Sequence, residues 1–247
     1  MILSKKSGIS ICLVAVILLG AGLRLARALE TTYLQRDEVL YLTLAEKWEK
    51  TDFKTACGNE YIPPMLLFLM KFLKPLFGSL PAAGRTLNIL SGVFFIIGMF
   101  YLTLILFGSR QCALAAALLA AVHPYAIRLS ASCLREGWGL ALVAAGTAFM
   151  LSAIQNNSVR LWSGAGALIG LAALFRYESL EFVFIVGVFE LFPALKDKQE
   201  LLPGLKALSL FFVSVVLMFV LSLFIIGVPV VYYGWNLFRR IFNFVLL

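Results

Sequence analysis

Six stretches of the chain contain no Asp, Glu, Lys or Arg: residues 7–23, 86–107, 111–127, 137–159, 161–175 and 207–238. Each is predominantly apolar. A helix of about 20 apolar residues crosses the roughly 30 Å hydrocarbon core of a bilayer. The pattern therefore predicts membrane-spanning helices at 8–25, 86–107, 111–129, 137–155, 161–175, 178–195 and 205–227. The fold class is all-α: a polytopic bundle of about seven spans. It is expected to form one transmembrane domain over 1–247, with an outer loop at 26–85, six further spans over 86–227 and an outer-side segment at 228–247.

Between the first two spans the pattern changes. Residues 24–60 carry 13 charged side chains, seven of them acidic. Within this segment Tyr41, Leu44, Ala45 and Trp48 follow the i, i+3, i+4, i+7 spacing of one helix face. Glu46 and Lys50 form a favourable i, i+4 pair on the other face. The spacing predicts an amphipathic helix over 37–50 that lies on the membrane surface rather than crossing it. Residues 62–77 read as a second short helix, started by Pro63-Pro64 and ended by Pro75 and Gly78. About 12 residues are too few for a crossing, so this helix is expected to be interfacial or re-entrant. With that parity Arg110, Arg160, Lys196 and Lys198 share the cytoplasmic side with Lys5 and Lys6, as the positive-inside rule asks. Asp37, Glu136, Arg176 and Glu178 then share the outer side.

Composition sharpens the picture. Hydrophobic types make up 62% of the residues and charged types 14%, and the mean hydropathy is +0.95. These values exclude an ordinary soluble domain and a disordered chain. The net charge of +8 fits span ends facing anionic headgroups. No basic cluster is interleaved with aromatics, so nucleic acid is not an expected partner. The four cysteines form no C-x-x-C pair. Cys57 and Cys133 could share one side of the membrane, where a disulfide is one alternative and two free thiols the other. With one histidine, His123, no histidine-based metal site or catalytic triad can be assembled. Glu190 lies near Lys196, where pairing or snorkelling is the simplest reading.

Three clusters could carry chemistry. Arg36-Asp37-Glu38 with Tyr41 opens the amphipathic helix. Its acids suit either a helix start or a general base, or a metal-binding acid, at the lipid boundary. Arg135-Glu136 opens a span that is uncharged as far as Val159. Arg176-Tyr177-Glu178 separates two apolar runs, and arginine there suits an anionic headgroup.

These features occur in an order that resembles the GT-C superfamily of membrane glycosyltransferases. The carriers are D-E-x-x-Y (Asp37, Glu38, Tyr41) after the first span, Pro63-Pro64 with an apolar helix ending at Phe77-Gly78, Gly84-Arg85 opening a span, and a Gly108-x-Arg110 turn. Glu136 at a span start and the Arg176/Glu178 turn complete the series. The resemblance is strongest to the branch of protein mannosyltransferases and lipid A aminoarabinose transferases, glycosyltransferase family 39 in type. It implies a polyprenyl-phosphate-sugar donor, a lipid, glycan or protein acceptor, membrane lipids around the chain, and a bacterial inner membrane with the site on its outer side. It also implies Asp37, Glu38 and Glu136 as catalytic acids. Arg36, Tyr41, Arg135, Arg176 and Glu178 would hold substrate or its phosphate. A divalent cation, if one is used, would sit on Asp37 and Glu136. The sequence departs from the family by Ile62 before the Pro-Pro pair, where a basic residue is common, and by lacking the further spans and C-terminal domain usual there. A fragment, or a non-catalytic scaffold or transporter of the same fold, is the alternative expectation.

Overall fold

The computed structural model describes residues 2–31, 33–58, 62–182, 185 and 198–229. These residues are overwhelmingly helical, and no strand occurs among them. The helices are α1 (Ile2–Glu30), α2 (Arg36–Lys50), α3 (Phe53–Cys57), α4 (Pro64–Phe77), α5 (Leu80–Phe107), α6 (Arg110–Val122), α7 (Pro124–Ala131), α8 (Glu136–Asn156), α9 (Val159–Ala173) and α10 (Lys198–Ile225), with a 3-10 turn at Tyr177–Leu180.

Their ends follow local rules. Pro64 starts α4, and Gly78, at φ 76°, closes it in the left-handed region, where an L side chain is strained. Ser79 caps α5 by accepting from the Ala82 N–H at 3.3 Å, and Ser109 caps α6 through the Cys112 N–H at 3.3 Å. α2 buries Tyr41, Leu44, Ala45 and Trp48, the four positions of the apolar stripe, and Lys50 meets Glu46 at 3.1 Å. α4 has 14 residues, about 21 Å of helix. It packs on α2 and α5. Lys71 Nζ donates to the Trp48 carbonyl at 2.9 Å, and Lys74 pairs with Glu49 at 2.6 Å.

Four helical segments are long and apolar enough to cross a membrane: Ser10–Glu30, Leu80–Phe107, Glu136–Asn156 and Gly204–Ile225. The expected span at 111–129 is broken, because α6 and α7 meet at 57° across His123-Pro124; together they supply a fifth candidate. The expected span at 161–175 corresponds to the shorter α9 of 15 residues. The expected spans thus outnumber the four or five crossing candidates among the described residues. Most of the segment expected to cross at 178–195 lies outside the described residues, as do Glu190 and nearly all of 228–247.

α5 and α8 form the middle of the bundle. α1 packs on α5, α6 and α7; α9 packs on α8, and α10 on α9. The Gln155 amide donates to the Ile105 carbonyl at 3.2 Å, so α5 and α8 end on the same side. Lipid offers no hydrophobic drive between spans, so close packing of small residues does that work. A Cβ on Gly170 of α9 would lie 2.6 Å from the Val215 carbonyl oxygen of α10. Gly170→Ala must therefore push two backbones apart. It is expected to lower stability by about 1–3 kcal/mol, read as a lower thermal unfolding midpoint in detergent.

Candidate active site at the start of helix α8

The site is assembled around one turn, Ser132–Leu134, between α7 and α8. Glu38, in the first turn of α2, reaches it across 95 positions of sequence. One carboxylate oxygen of Glu38 accepts from the Cys133 N–H at 2.7 Å. The other accepts from the Gln35 N–H at 2.9 Å, closing a capping box at the start of α2. The side chain has 0% exposure. From the other side Asn88 of α5 donates its amide to the carbonyls of Ser132 and Leu134. The Cys133 thiol contacts the Pro81 carbonyl oxygen at 3.5 Å. No disulfide joins Cys133 to Cys57. Burial, with the charge of Glu38 second, pushes the Cys133 thiol up to about 12, opposed by Arg85.

Arg135 and Glu136 leave this turn directly. Arg135 Nε and Glu136 Oε1 are 3.9 Å apart. Arg135 Nε, Glu136 Oε2 and Trp138 Nε1 are buried with no hydrogen-bond partner. Such groups are costly when unmet, and three of them lie within the first residues of one helix. Arg176 arrives from the end of α9. The Met65 N–H, at the start of α4, donates to the Leu174 carbonyl at 3.2 Å, which brings the Pro63-Pro64 pair beside the end of α9. The Arg176 side chain lies over Gly139 of α8, where a Cβ would be 3.0 Å from its Cδ. Its Nε is 3.5 Å from Glu178 Oε2.

Tyr41 marks where these groups converge. Its side chain is buried, and burial raises its pKa; Arg135 lowers it, Glu136 and Asp37 raise it, and Arg176 lowers it. Two carboxylates and two guanidiniums from α2, α8 and the α9 end therefore act on one phenol. Asp37 and Arg36 are exposed at the start of α2. Of the residues singled out in the sequence, Asp37, Arg135, Glu136 and Arg176 all act electrostatically on Tyr41, and Glu178 is within 3.5 Å of Arg176. Glu38 is placed behind them, in the framework. Asn88, Gln35 and Gly139 were not anticipated, and Cys133 was expected only as a candidate disulfide partner; the sole local signal for Asn88 is a carboxamide inside an uncharged run.

Residues 62–219 match the family described as dolichyl-phosphate-mannose-protein mannosyltransferase. This is well over half of the chain. The chain belongs to that family. No curated protein matches it. As a member of this mannosyltransferase family it is a membrane glycosyltransferase of GT-C type. The matched segment contains Arg135, Glu136, Arg176 and Glu178, whereas Asp37, Glu38 and Tyr41 precede it. The convergence at Tyr41 thus joins family and flanking residues in one cluster. Among the described residues no group of three or more His, Cys, Asp or Glu side chains is placed to hold a metal ion.

Proposed function

We propose that the chain transfers a sugar from a polyprenyl-phosphate donor to an acceptor hydroxyl at the outer face of the membrane, with Asp37 as the general base. The observation that carries this reading is that the charges of Asp37, Glu136, Arg135 and Arg176 all act on the Tyr41 phenol. Transfer needs both signs of charge at one boundary. Asp37 takes the proton of the acceptor hydroxyl. The freed oxygen bonds to the anomeric carbon as the bond from that carbon to the phosphate oxygen breaks, with inversion. Polyprenyl phosphate leaves carrying the negative charge, which the guanidiniums of Arg176 and Arg135 stabilise. Glu136 has one unmet oxygen for a sugar hydroxyl, or for a divalent cation shared with Asp37, which would polarise the phosphate. Exposure of Asp37 leaves it open to an acceptor arriving from water, while the donor keeps its tail in lipid.

Vesicles containing the chain, given a labelled polyprenyl-phosphate sugar, should release polyprenyl phosphate and form a labelled glycoside when acceptor is added. Absence of both products across mannose and aminoarabinose donors overturns the proposal.

The side of the membrane is tested separately. Tyr33 is 64% exposed between α1 and α2, and Gln111 is exposed at the opposite end of α6. In a chain with Cys12 and Cys112 replaced by serine, Tyr33→Cys should react with an impermeant maleimide applied to intact cells. Gln111→Cys should react after permeabilisation alone. The reverse pattern places the site in the cytoplasm.

A further inference from the structure

Arg24 lies within α1 in the segment long enough to cross the membrane, and its exposure is 0%. A cation there is unfavourable unless its donors are met. The two terminal nitrogens are met by carbonyl oxygens, while the buried Nε has no partner. Nη2 donates to Ala120 at 3.0 Å; Nη1 donates to Ala121 at 3.0 Å and to Gly20 at 2.9 Å. Among the described residues no carboxylate pairs with it.

The two alanine carbonyls belong to the last turn of α6, which ends at Val122. The final four carbonyls of a helix lack intrahelical partners. For Ala120 the loss is chemical, because the residue four positions on is Pro124, which has no N–H. His123, at φ −64° and ψ 119°, turns the chain out of the helix, and α7 leaves at 57°. The planar fork of an arginine suits two successive carbonyls, and its charge suits the negative end of a helix dipole. Space for it is provided by Gly92 of α5, where a Cβ would lie 2.6 Å from Arg24 Cδ and 2.7 Å from Ser130 Oγ.

The eight residues of α7 lead straight into the Ser132–Leu134 turn held by Glu38 and Asn88, and so to Arg135 and Glu136. We propose that Arg24 is a positioning residue: by taking the Ala120 and Ala121 carbonyls it fixes the bend between α6 and α7 and so holds the turn against Glu38. Its consequence for transfer rests on the function proposed above, whereas the positioning itself does not.

Cys133 reports the position of the turn. Its exposure is 0%, and its thiol is pushed up to about 12, so it is protected from maleimide at neutral pH. The experiment uses the full chain in detergent with Cys12, Cys57 and Cys112 replaced by alanine. Arg24→Met keeps an apolar stem and loses the fork; labelling of Cys133 should accelerate roughly tenfold or more, as expected when buried carbonyls lose their donors. Arg24→Lys, with one ammonium in place of the fork, should restore protection in part. Phe211→Leu, in the α9–α10 cluster away from the bend, destabilises the bundle generally and should leave the labelling within about twofold of the parent. Should Arg24→Met not fold, Gly92→Ala, which drives a methyl onto the Arg24 side chain, should raise labelling about threefold or more. Unchanged protection in both Arg24→Met and Gly92→Ala, or equal exposure in Phe211→Leu, overturns the proposal. No transfer by the parent chain with Cys133 still protected would fault the proposed activity instead.

Discussion

Asp37→Asn is expected to reduce glycosyl transfer by about 10²–10⁴-fold, the usual contribution of a general base, while leaving the fold in place. The substitution keeps the shape of the side chain. Asp37 is exposed in the first turn of α2, where losing a charge that complements the helix dipole costs about 0.3–1 kcal/mol. Glu38 and Asn88 would still hold the Ser132–Leu134 turn, so the guanidiniums of Arg135 and Arg176 would remain beside Tyr41. The signature is a rate loss without a matching change in thermal unfolding, measured on the same purified protein. A fully active Asp37→Asn protein would remove Asp37 as the base, and full activity in Glu38→Gln as well would reduce the acidic pair to a helix start.

Glu38→Gln should behave in the opposite way. Both oxygens of Glu38 accept from backbone N–H groups, of Cys133 at 2.7 Å and Gln35 at 2.9 Å. A carboxylate can serve two such donors; an amide has one oxygen, and its NH2 must face the other N–H. One buried donor pair is left opposed, which costs about 1–3 kcal/mol, and the charge-assisted character of both bonds is lost as well. The unfolding midpoint should fall clearly, while transfer per folded molecule stays measurable. Unchanged stability with transfer lost would reassign the base to Glu38. Together the two variants separate neighbours that differ by one position in sequence, because successive side chains on a helix point about 100° apart.

The bundle's helical class and the stripe on α2 are legible from residue order, since both are local periodicities. Long uncharged runs can cross lipid only as helices that satisfy their own backbone, and Tyr41, Leu44, Ala45 and Trp48 fall on one face whatever surrounds them. The Glu46–Lys50 pair and the Gly78 and Gly108 stops are equally local. The candidate residues were legible as charges interrupting apolar runs, and the order of those interruptions carried the resemblance to the family.

The break in the run 111–127 is a different case. Pro124 marks a break locally, but the 57° bend at His123-Pro124 is not set by it alone, because the donors replacing the missing backbone bonds come from Arg24, 96 and 97 positions away. Which of Asp37 and Glu38 turns inward was likewise not contained in the first turn of α2. It depends on the Cys133 N–H, 95 positions on, and on Asn88 gripping the same turn from α5 across 44 and 46 positions. Among the described residues four or five helical segments, against seven expected spans, are long and apolar enough to cross. Apolar runs mark what lipid or a protein interior tolerates, whereas helix length and packing settle which runs cross. Periodicity and charge report each helix's own surface; a buried carbonyl, amide or carboxylate reports its partner, and that partner is brought to it by the packing of distant segments.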